Sequence, residues 1–395
     1  MIIGAGIMQI PAIKTAKEMG LFVIASDFNP LAPGLKFADF PLILDTKDIQ
    51  GHVNFALSHK KEFNISGAFA GADVAVTVAA ITNALDLPGI PFEVAVRSNN
   101  KWLMKQCWLD SGISTPYAEE VRTLSEAEKA LQKIKLPAMV KAIDNAASRG
   151  TRKIESEEEL ESALEDAKKN SSTGSALIEE FVEGSEQSVE YIVFEGKHYR
   201  FGIVDRHFGF TPFPIEIGHT NPSILSPEEQ EALYTLTKNA AESLGITFGP
   251  YKSDTIMTSK GPMILELPAR LSGGFHSQCT TPLSSGRDPI KAALHIAVGD
   301  TFPQECAAKK LNRVAVCKAI FPAPGKIMSI SGIEEAKKIE GVEHIFLMVK
   351  EGDEIPPYKN CANRVCYVIT TGSNFSAAEK TWKKATDIIK ILTKK

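Results

Sequence analysis

Acidic and basic residues at spacings that suit phosphate chemistry lie between positions 248 and 275, in the stretch FGPYKSDTIMTSKGPMILELPARLSGGF. The stretch predicts a β-hairpin, in which YKSDTIMT forms the first strand, residues 259–262 form the turn and MILELPARL returns. Because side chains alternate between the faces of a strand, two rows of residues are expected to share a face: Lys252, Asp254 and Ile256, and Ile264, Glu266 and Pro268. Two carboxylates are therefore expected to face each other across the strand pair.

Directly opposed carboxylates repel each other, so the pairing of Asp254 with Glu266 indicates a bound cation. Mg²⁺ suits such a site, because it prefers oxygen ligands and usually takes one or two carboxylates together with substrate phosphates. Arg270 follows four residues after Glu266 and is expected on the same face, where its guanidinium can bind an oxyanion. The group is typical of phosphoryl transfer, and an edge hairpin with solvated charges is the alternative interpretation.

Length and composition limit the class of protein. A chain of 395 residues predicts two or three domains, and its hydrophobic content of 44% is enough to fill their cores. The net charge of −4, without long Lys/Arg runs, argues against a nucleic-acid or membrane-surface partner. Six cysteines without CxxC spacing, and no signal peptide or long apolar run, predict reduced thiols in a cytoplasmic protein.

Three regions follow one another along the chain. Residues 1–97 alternate strand and helix patterns, which predicts a Rossmann-like α/β domain with a parallel sheet. Residues 98–300 carry the hairpin and several long strand patterns. Residues 301–395 alternate short strands with Pro and Gly turns before an amphipathic helix at 376–392, which predicts a small α+β lid domain. The predicted fold class is a multidomain combination of α/β and α+β.

A glycine turn near the start of the chain allows a second hypothesis about function, dinucleotide binding. Gly4, Gly6 and Asp27 are similar to a dinucleotide-binding turn, but Gln9 stands where the third glycine is expected. A turn that packs helix on strand is the favoured interpretation of this segment, and an NAD-dependent oxidoreductase is the alternative.

A second loop could bind phosphates. AMVKAI predicts a strand that leads into a loop at 144–150, and backbone N–H groups of such a loop together with Lys141 can hold phosphate oxygens. A plain hairpin turn is the alternative. Farther along the chain, His219 and His276 are candidate substrate contacts, although a lone histidine is more often a structural hydrogen-bonding group.

Taken together, these segments resemble the ATP-grasp ligases, a superfamily that includes biotin carboxylase, D-alanine–D-alanine ligase, the purine-pathway carboxylases and bacterial L-amino acid ligases. The resemblance covers essentially the whole chain and implies a pre-ATP-grasp domain at 1–97, an ATP-grasp domain at 98–300 and a C-terminal domain at 301–395. The run ELPARLSGG and the tail PAPGKIMSISGIEEAKKIEGVEHI are closest to the L-amino acid ligase and carbamoyl-phosphate-synthase-like branch.

The resemblance also implies a nucleotide site. Lys141 would contact the α and β phosphates below the mobile loop, and Lys101 would be the second basic contact. The motif LIEEFVEGSE would hold the adenine largely through backbone groups and the ribose through Glu186. The residues implied to bind ATP are Lys101, Lys141, Ser148, Arg149, Gly150, Glu179, Glu180, Phe181, Val182 and Glu186.

The metal motif of the family is an acidic residue on one strand and Glu-x-Asn-x-Arg on the next. By this match Asp254 and Glu266 would bind Mg²⁺ or Mn²⁺, and Arg270 would be catalytic. Pro268 replaces the asparagine and has no side chain to bind a metal, which puts a second metal ion in doubt. Gly273 and Gly274 are also catalytic candidates, because backbone N–H groups can approach an acyl oxyanion where there is no Cβ.

The implied activity is ATP-dependent ligation of a carboxylate to an amine through an acyl phosphate, with release of ADP and phosphate. Small carboxylate and amine substrates are expected, amino acids among them, and the apolar N-terminal half predicts a homodimer. A carboxylase that acts through carboxyphosphate shares the ATP site, and bicarbonate-dependent ADP release would reveal it. A catalytically altered nucleotide-binding protein would explain Pro268. No readable motif identifies the two substrates.

Overall fold

Short apolar strands alternate with helices at the start of the computed structural model, which describes residues 1–394. The elements of this first region are β1 (Ile2–Ile3), α1 (Ile10–Glu18), β2 (Ile24–Asp27), β3 (Phe40–Ile43), α2 (Ile49–His59), α3 (Ala75–Leu85) and α4 (Phe92–Arg97). Strands β1, β2 and β3 pair in parallel in that order, which confirms the Rossmann-like prediction. Within the strand patterns of residues 1–97, the segment GAFAGA at 67–72 forms only an isolated bridge, between Ile2 and Phe69, and not a strand.

The glycine turn after β1 is filled by the chain itself. The Gln9 side chain lies 3.5 Å from the position of a Cβ on Gly4 and donates to the Gly71 carbonyl at 3.1 Å. Asp27 accepts hydrogen bonds from the N–H groups of Ala5 and Asn29, each at 3.0 Å. The turn therefore packs helix on strand, and its dinucleotide-like features have structural roles.

A small antiparallel sheet follows. Its region contains α5 (Lys101–Asp110), β4 (Ala118–Val121), α6 (Leu124–Ile134), β5 (Ala138–Ala142), β6 (Thr151–Ile154), α7 (Leu160–Lys169) and β7 (Ala176–Glu180). The strand order is β4-β7-β5-β6. Along β5, Ala138, Val140 and Ala142 are buried while Met139 and Lys141 are only half-buried. This alternation turns Lys141 away from the core that α6 and α7 form with the sheet.

Long strands and one long helix make up the next region. Its elements are β8 (Ser185–Phe194), β9 (Lys197–Gly209), β10 (Ile215–Asn221), α8 (Pro227–Leu244), β11 (Gly249–Thr258), β12 (Gly261–Glu266), α9 (Thr281–Ser285) and α10 (Pro289–Ala297). Helix α8 begins with a capping box, in which Ser226 accepts from the Glu229 N–H and Glu229 accepts from the Ser226 N–H. The predicted hairpin is present as β11 and β12.

The last region alternates short strands with short helices. Its elements are α11 (Gln304–Ala307), β13 (Val314–Ile320), β14 (Gly325–Ser331), α12 (Ile333–Ala336), β15 (Val342–Leu347), β16 (Glu354–Ile355), β17 (Cys366–Gly372), α13 (Phe375–Ile388) and β18 (Lys390–Lys394). The prediction of one helix over 376–392 is wrong at its end, because residues after Ile389 form β18 and pair with β14.

The large sheet joins the last two regions. Within residues 1–394 its order is β12-β11-β8-β9-β10-β13-β17-β15, so strands from both sides of residue 300 are hydrogen-bonded neighbours. The mixed α/β and α+β fold class is confirmed, and the domain limits at 97 and 300 stay predictions. No helix of the described chain combines the length and apolar character needed to cross a membrane.

Candidate active site

The metal-binding candidates lie opposite each other on the hairpin. Asp254 on β11 pairs with Glu266 on β12, which confirms the predicted juxtaposition. A register shift after Asp254 pairs Thr255 with Ile264, so Ile264 and Glu266 do not share a face as expected, because opposed residues project to the same side of a sheet. Ile264 instead lies in the core beneath the sheet.

Cations surround the two carboxylates. Lys252 Nζ lies 2.5 Å and Arg206 Nη1 3.0 Å from carboxylate oxygens of Asp254, and Lys101 Nζ lies 3.3 Å from Glu266. Burial alone would raise the pKa of Asp254, but the Arg206 and Lys252 charges outweigh burial and hold this pKa below its usual range. Asp254 is therefore ionised and able to bind a metal ion at neutral pH.

The donor set fits one hard cation. Residues 1–394 contain no group of three or more His, Cys, Asp or Glu side chains placed to hold a metal ion. A cation at Asp254 and Glu266 would take two protein ligands and complete its shell with phosphate oxygens and water, as Mg²⁺ usually does. The Pro268 carbonyl accepts from the N–H groups of Lys252 and Arg270, at 3.3 and 2.9 Å, so it is engaged within the chain.

Arg270 reaches the site from a turn. The predicted return strand to residue 271 ends at Glu266, so strand alternation does not place Arg270. Its Nε instead donates to Asp73 of the N-terminal region, and its Nη1 donates to the Leu271 carbonyl at 2.9 Å. Burial would lower the pKa of Arg270, but Asp73 and the two hairpin carboxylates raise it above its usual value. The guanidinium is thus a fixed cation beside Asp254 and Glu266, the predicted metal ligands.

Lysines and a buried glutamate mark the nucleotide end of the site. Lys141 Nζ lies 2.6 Å from one oxygen of Glu179, and Lys105 Nζ lies 3.1 Å from the other. Burial would raise the pKa of Glu179, but these two lysines lower it. After Glu179, Glu180 is exposed, and Phe181 and Val182 are half-buried beyond the end of β7. Glu179 therefore connects the predicted adenine segment with Lys141, the predicted phosphate contact.

The loop at 144–150 closes over this end. The Asn145 carbonyl accepts from Lys101 Nζ at 2.7 Å, and the Arg149 Nε donates to the Asn145 side chain at 2.9 Å. The Ser148 hydroxyl donates to the Pro214 carbonyl at 2.8 Å. Gly150 has a φ of +63°, and a Cβ there would lie 2.7 Å from Asn170 Cβ, so only glycine fits without movement. The predicted phosphate loop is thus held by several side chains.

Arg206 forms ion pairs with three carboxylates. It lies 3.3 Å from Glu186, 3.2 Å from Glu216 and 3.0 Å from Asp254. Burial raises the pKa of Glu186, and for Glu216 the charges of Arg206 and Arg364 outweigh burial and lower the pKa to about 2. Glu186, the ribose candidate, is therefore connected through Arg206 to Asp254, the predicted metal ligand.

The glycine turn at 272–274 is positioned by Glu190. This buried glutamate accepts from the Ser272 N–H at 2.7 Å and from the Ser277 hydroxyl. Ser272 is thus not a free donor, whereas no hydrogen bond of residues 1–394 uses the N–H groups of Gly273 and Gly274. Burial raises the pKa of Glu190. Two adjacent N–H groups are left that could stabilise an oxyanion.

Two buried histidines pack beyond this turn. The rings of His219 and His276 are 5.7 Å apart, and His219 Nε2 lies 2.9 Å from the Thr280 hydroxyl. Burial lowers the pKa of each to about 3, so both are neutral at physiological pH. His276 begins a π-helix, His276–Thr280, a rare element that is frequent at functional sites. Their role as substrate contacts stays a prediction.

Several residues of this site were not predicted from the sequence: Asp73, Lys105, Glu190, Arg206, Glu216 and Arg364. Glu190 is one of five glutamates between residues 179 and 190. Only Glu180 and Glu183 are exposed, while Glu179 and Glu190 are buried and Glu186 is half-buried. Alternation along β8 could have indicated that Glu186 and Glu190 share a face.

Comparisons with known proteins agree with this geometry. Residues 134–279 match the family described as ATP-grasp domain, and residues 319–394 match L-amino acid ligase C-terminal domain 2. The crystal structure of L-amino acid ligase from Bacillus licheniformis superposes with a TM-score of 0.86 at 22% identity, over 100% of this chain and 98% of that chain.

Two sequence relatives are ligases or synthases by name. Dapdiamide A synthase of Enterobacter agglomerans is 25% identical over 77% of this chain and 74% of its own. D-alanine–D-alanine ligase of Azoarcus sp. (strain BH72) is 27% identical over 52% of this chain and 69% of its own. The chain therefore has the ATP-grasp fold, and residues 134–279 match the ATP-grasp domain itself. Its C-terminal part is the domain found in L-amino acid ligases.

Proposed function

We propose that the chain is an ADP-forming ligase that joins a carboxylate to an amine. The observation that carries the proposal is the opposed pair Asp254 and Glu266 with Arg270 beside it. Such a group neutralises the charge of a transferring phosphoryl group, which is what activation of a carboxylate by ATP requires. The ligase relatives and the ATP-grasp fold support the same reaction class.

Each residue of the candidate site has its own role in the proposed reaction. Lys101 and Lys141 would hold the phosphates, and Asp254 and Glu266 would hold Mg²⁺ or Mn²⁺, which neutralises phosphate charge when bound. Arg270 stabilises the phosphoryl group as it moves from ATP to the substrate carboxylate. The free N–H groups of Gly273 and Gly274 then stabilise the oxyanion that forms when an amine attacks the acyl phosphate, and phosphate leaves.

Amino acids are the substrates that we propose for both ends of the new bond, because relatives that form such bonds are named for amino acid products or substrates. The nucleotide would lie between Lys141, the loop at 144–150 and the segment from Glu179 to Val182, with its ribose at Glu186. His219 and His276 would contact a substrate.

The test is the product formed from ATP in the presence of candidate substrates. The chain should release ADP and phosphate only when a suitable carboxylate is present, and pairs of amino acids should be screened for phosphate release. Formation of AMP and pyrophosphate would show that no acyl phosphate is made. ADP release that depends on bicarbonate alone would indicate a carboxylase instead.

A homodimer in the cytoplasm is also proposed. Six free cysteines in the described chain are consistent with a reducing compartment. Residues 67–81, the apolar segment on which the dimer was predicted, are buried or half-buried, and pairing would use the half-buried residues of this segment. Light scattering at micromolar concentration should give twice the chain mass of 42.9 kDa. A monomer mass would contradict the proposal.

A further inference from the structure

We infer that Arg364 binds the carboxylate of the incoming amine substrate, and that the C-terminal region thereby supplies a substrate-recognition residue to the active site. The inference rests on the proposed ligase function. It adds a subsite that neither the hairpin nor the nucleotide loop provides.

Arg364 lies where the C-terminal region meets the catalytic residues. It follows the short helix Cys361–Asn363, in which the Cys361 N–H donates to the Ala147 carbonyl of the nucleotide loop at 2.9 Å. A Cβ on Gly274 would lie 3.9 Å from Nη1 of Arg364. The guanidinium therefore stands beside the glycine turn that offers two free N–H groups.

The hydrogen bonds of Arg364 leave one edge of the guanidinium unused. Nη1 donates to the Tyr367 hydroxyl at 2.9 Å. Nη2 lies 3.6 Å from Glu216, which is too long for a hydrogen bond, and Nε has no partner in residues 1–394. Nε and Nη2 form an edge that can donate two parallel hydrogen bonds to a carboxylate. Only 9% of the side chain is exposed, so water does not readily substitute for the missing acceptors.

Glu216 balances the charge of Arg364 only in part. It accepts a hydrogen bond from Arg206 at 3.2 Å, and the two arginines therefore share one carboxylate. Arg206 has further partners in Glu186 and Asp254, whereas Glu216 is the single carboxylate paired with Arg364 among the described residues. A buried cation such as Arg364, which shares its single carboxylate with a second arginine, favours an additional anionic ligand.

The position of Arg364 indicates which carboxylate it binds. The reacting carboxylate must lie near the metal-binding pair, because it attacks the γ-phosphorus. Arg206 and Arg364 approach the same oxygen of Glu216, at 3.2 and 3.6 Å, but of these two arginines only Arg206 also pairs with Asp254. Because Arg364 forms no ion pair with Asp254 or Glu266 among the described residues, we assign to it a second carboxylate, beside the one that is phosphorylated. It belongs to the amine substrate, which is thus an amino acid and not a simple amine.

The experiment compares an amino acid acceptor with its carboxamide, for example alanine with alaninamide, using one carboxylate donor. R364Q should lower kcat/KM for the amino acid by roughly tenfold or more relative to that for the amide, mainly through KM, because a hydrogen-bonded charge pair is lost. R364K should lie between R364Q and wild type, since lysine keeps the charge without the fork. An equal loss for both acceptors would overturn the inference and leave Arg364 a structural residue.

Two controls separate the possible failures. R313Q removes another arginine of the same region, which pairs with Glu343 at 3.1 Å, and should leave the acceptor preference unchanged. Hydroxylamine, added to wild-type enzyme with ATP and the donor, should trap the acyl phosphate as a hydroxamate. No hydroxamate would defeat the ligase proposal and the inference with it. Hydroxamate together with wild-type acceptor preference in R364Q would defeat the inference alone.

Discussion

In the proposed nucleotide site, Lys105 would allow Lys141 to bind phosphate oxygens although Lys141 is already paired with the Glu179 carboxylate. Lys105 is fully buried, donates to the Thr115 hydroxyl at 2.6 Å and lies 3.1 Å from Glu179. Burial lowers its pKa to about 8, but at neutral pH its charge still neutralises Glu179. Lys141, with 13% of its side chain exposed, is then free to exchange Glu179 for phosphate oxygens.

Lys141→Ala should weaken ATP binding by roughly tenfold or more, because a charge-assisted hydrogen bond to phosphate is lost. Titration calorimetry measures the affinity, and the thermal midpoint checks that the fold is intact. Lys133→Ala is the matched control, because Lys133 pairs with Glu119 on the surface and should leave ATP affinity unchanged. Wild-type affinity in the Lys141 variant would remove this lysine from the nucleotide site.

Asp254, Glu266 and Arg270 should act as one unit. Each single alanine variant is expected to lower kcat by about 10²-fold or more, which is typical for a charge-stabilising group. Glu266→Ala combined with Arg270→Ala should cost much less than the product of the two single losses, since either change already disrupts the unit. Steady-state phosphate release measures the three variants. Multiplicative losses would mean that the residues work independently, and normal turnover of Glu266→Ala would leave the hairpin without a catalytic role.

At the scale of elements, the phosphate loop depends on glycine for two separable reasons. Gly150 and Gly174 have similar left-handed φ angles of +63° and +69°. A Cβ on Gly150 would meet Asn170, Ala142 and the Ala167 backbone within 3.1 Å, whereas a Cβ on Gly174 would meet nothing within 4 Å. Comparing the two positions therefore separates backbone strain from steric overlap.

Gly174→Ala should lower the free energy of unfolding by about 1–2 kcal/mol, which is the cost of a left-handed residue with a Cβ. Gly150→Ala should cost a further ~1–3 kcal/mol because helix α7 must shift. Urea unfolding of both variants gives the difference. Equal losses would show that the loop relaxes without strain, and the added Cβ would then not restrict the nucleotide loop.

Local patterns were enough to predict the elements that carry the chemistry. Alternation predicted β5 with Lys141 and the antiparallel pairing of Asp254 with Glu266. The bulge after Asp254 and the end of β12 at Glu266 were not predictable, because a register shift depends on packing against β8 and α8 rather than on local sequence.

Residues brought in from distant segments were not predicted. Arg364 lies 148 positions beyond Glu216, and Asp73 lies 197 positions before Arg270, so the sequence gives no local sign of either contact. Arg206 was missed for another reason. Its neighbours Glu186 and Glu216 are on adjacent strands, and their alignment follows only from the registers of β8, β9 and β10.

At the scale of the whole molecule, the large sheet makes the C-terminal region part of the site. Strand β13 pairs with β10, which carries Glu216 and His219, and β17 begins two residues after Arg364. Because the large sheet contains strands from before and after residue 300, it places Arg364 of the C-terminal region beside Glu216 of the central sheet. Substrate recognition and the stability of this junction are expected to depend on the same ion pairs.

The dependence of protein stability on pH tests whether the ion pairs of Glu216 stabilise this junction. The pKa of Glu216 is lowered from 4.5 to about 2, because Arg206 and Arg364 outweigh its burial. Its folded pKa lies below its unfolded value, so its contribution to stability is complete above about pH 4.5 and is lost as pH falls toward 2. A change of this size corresponds to about 3 kcal/mol at neutral pH.

Glu216→Gln should therefore lower the free energy of unfolding by up to about 3 kcal/mol at pH 7, and the difference from wild type should shrink steadily below pH 4.5. Urea unfolding between pH 7 and the lowest pH at which the chain still folds measures this difference. Glu231→Gln is the control, because Glu231 pairs with Arg200 at the exposed surface and should give a smaller effect. If the difference in the free energy of unfolding stays constant as the pH falls, Glu216 contributes through packing and not through its charge. The ion pairs of Glu216 with Arg206 and Arg364 would then not stabilise the junction of the sheet.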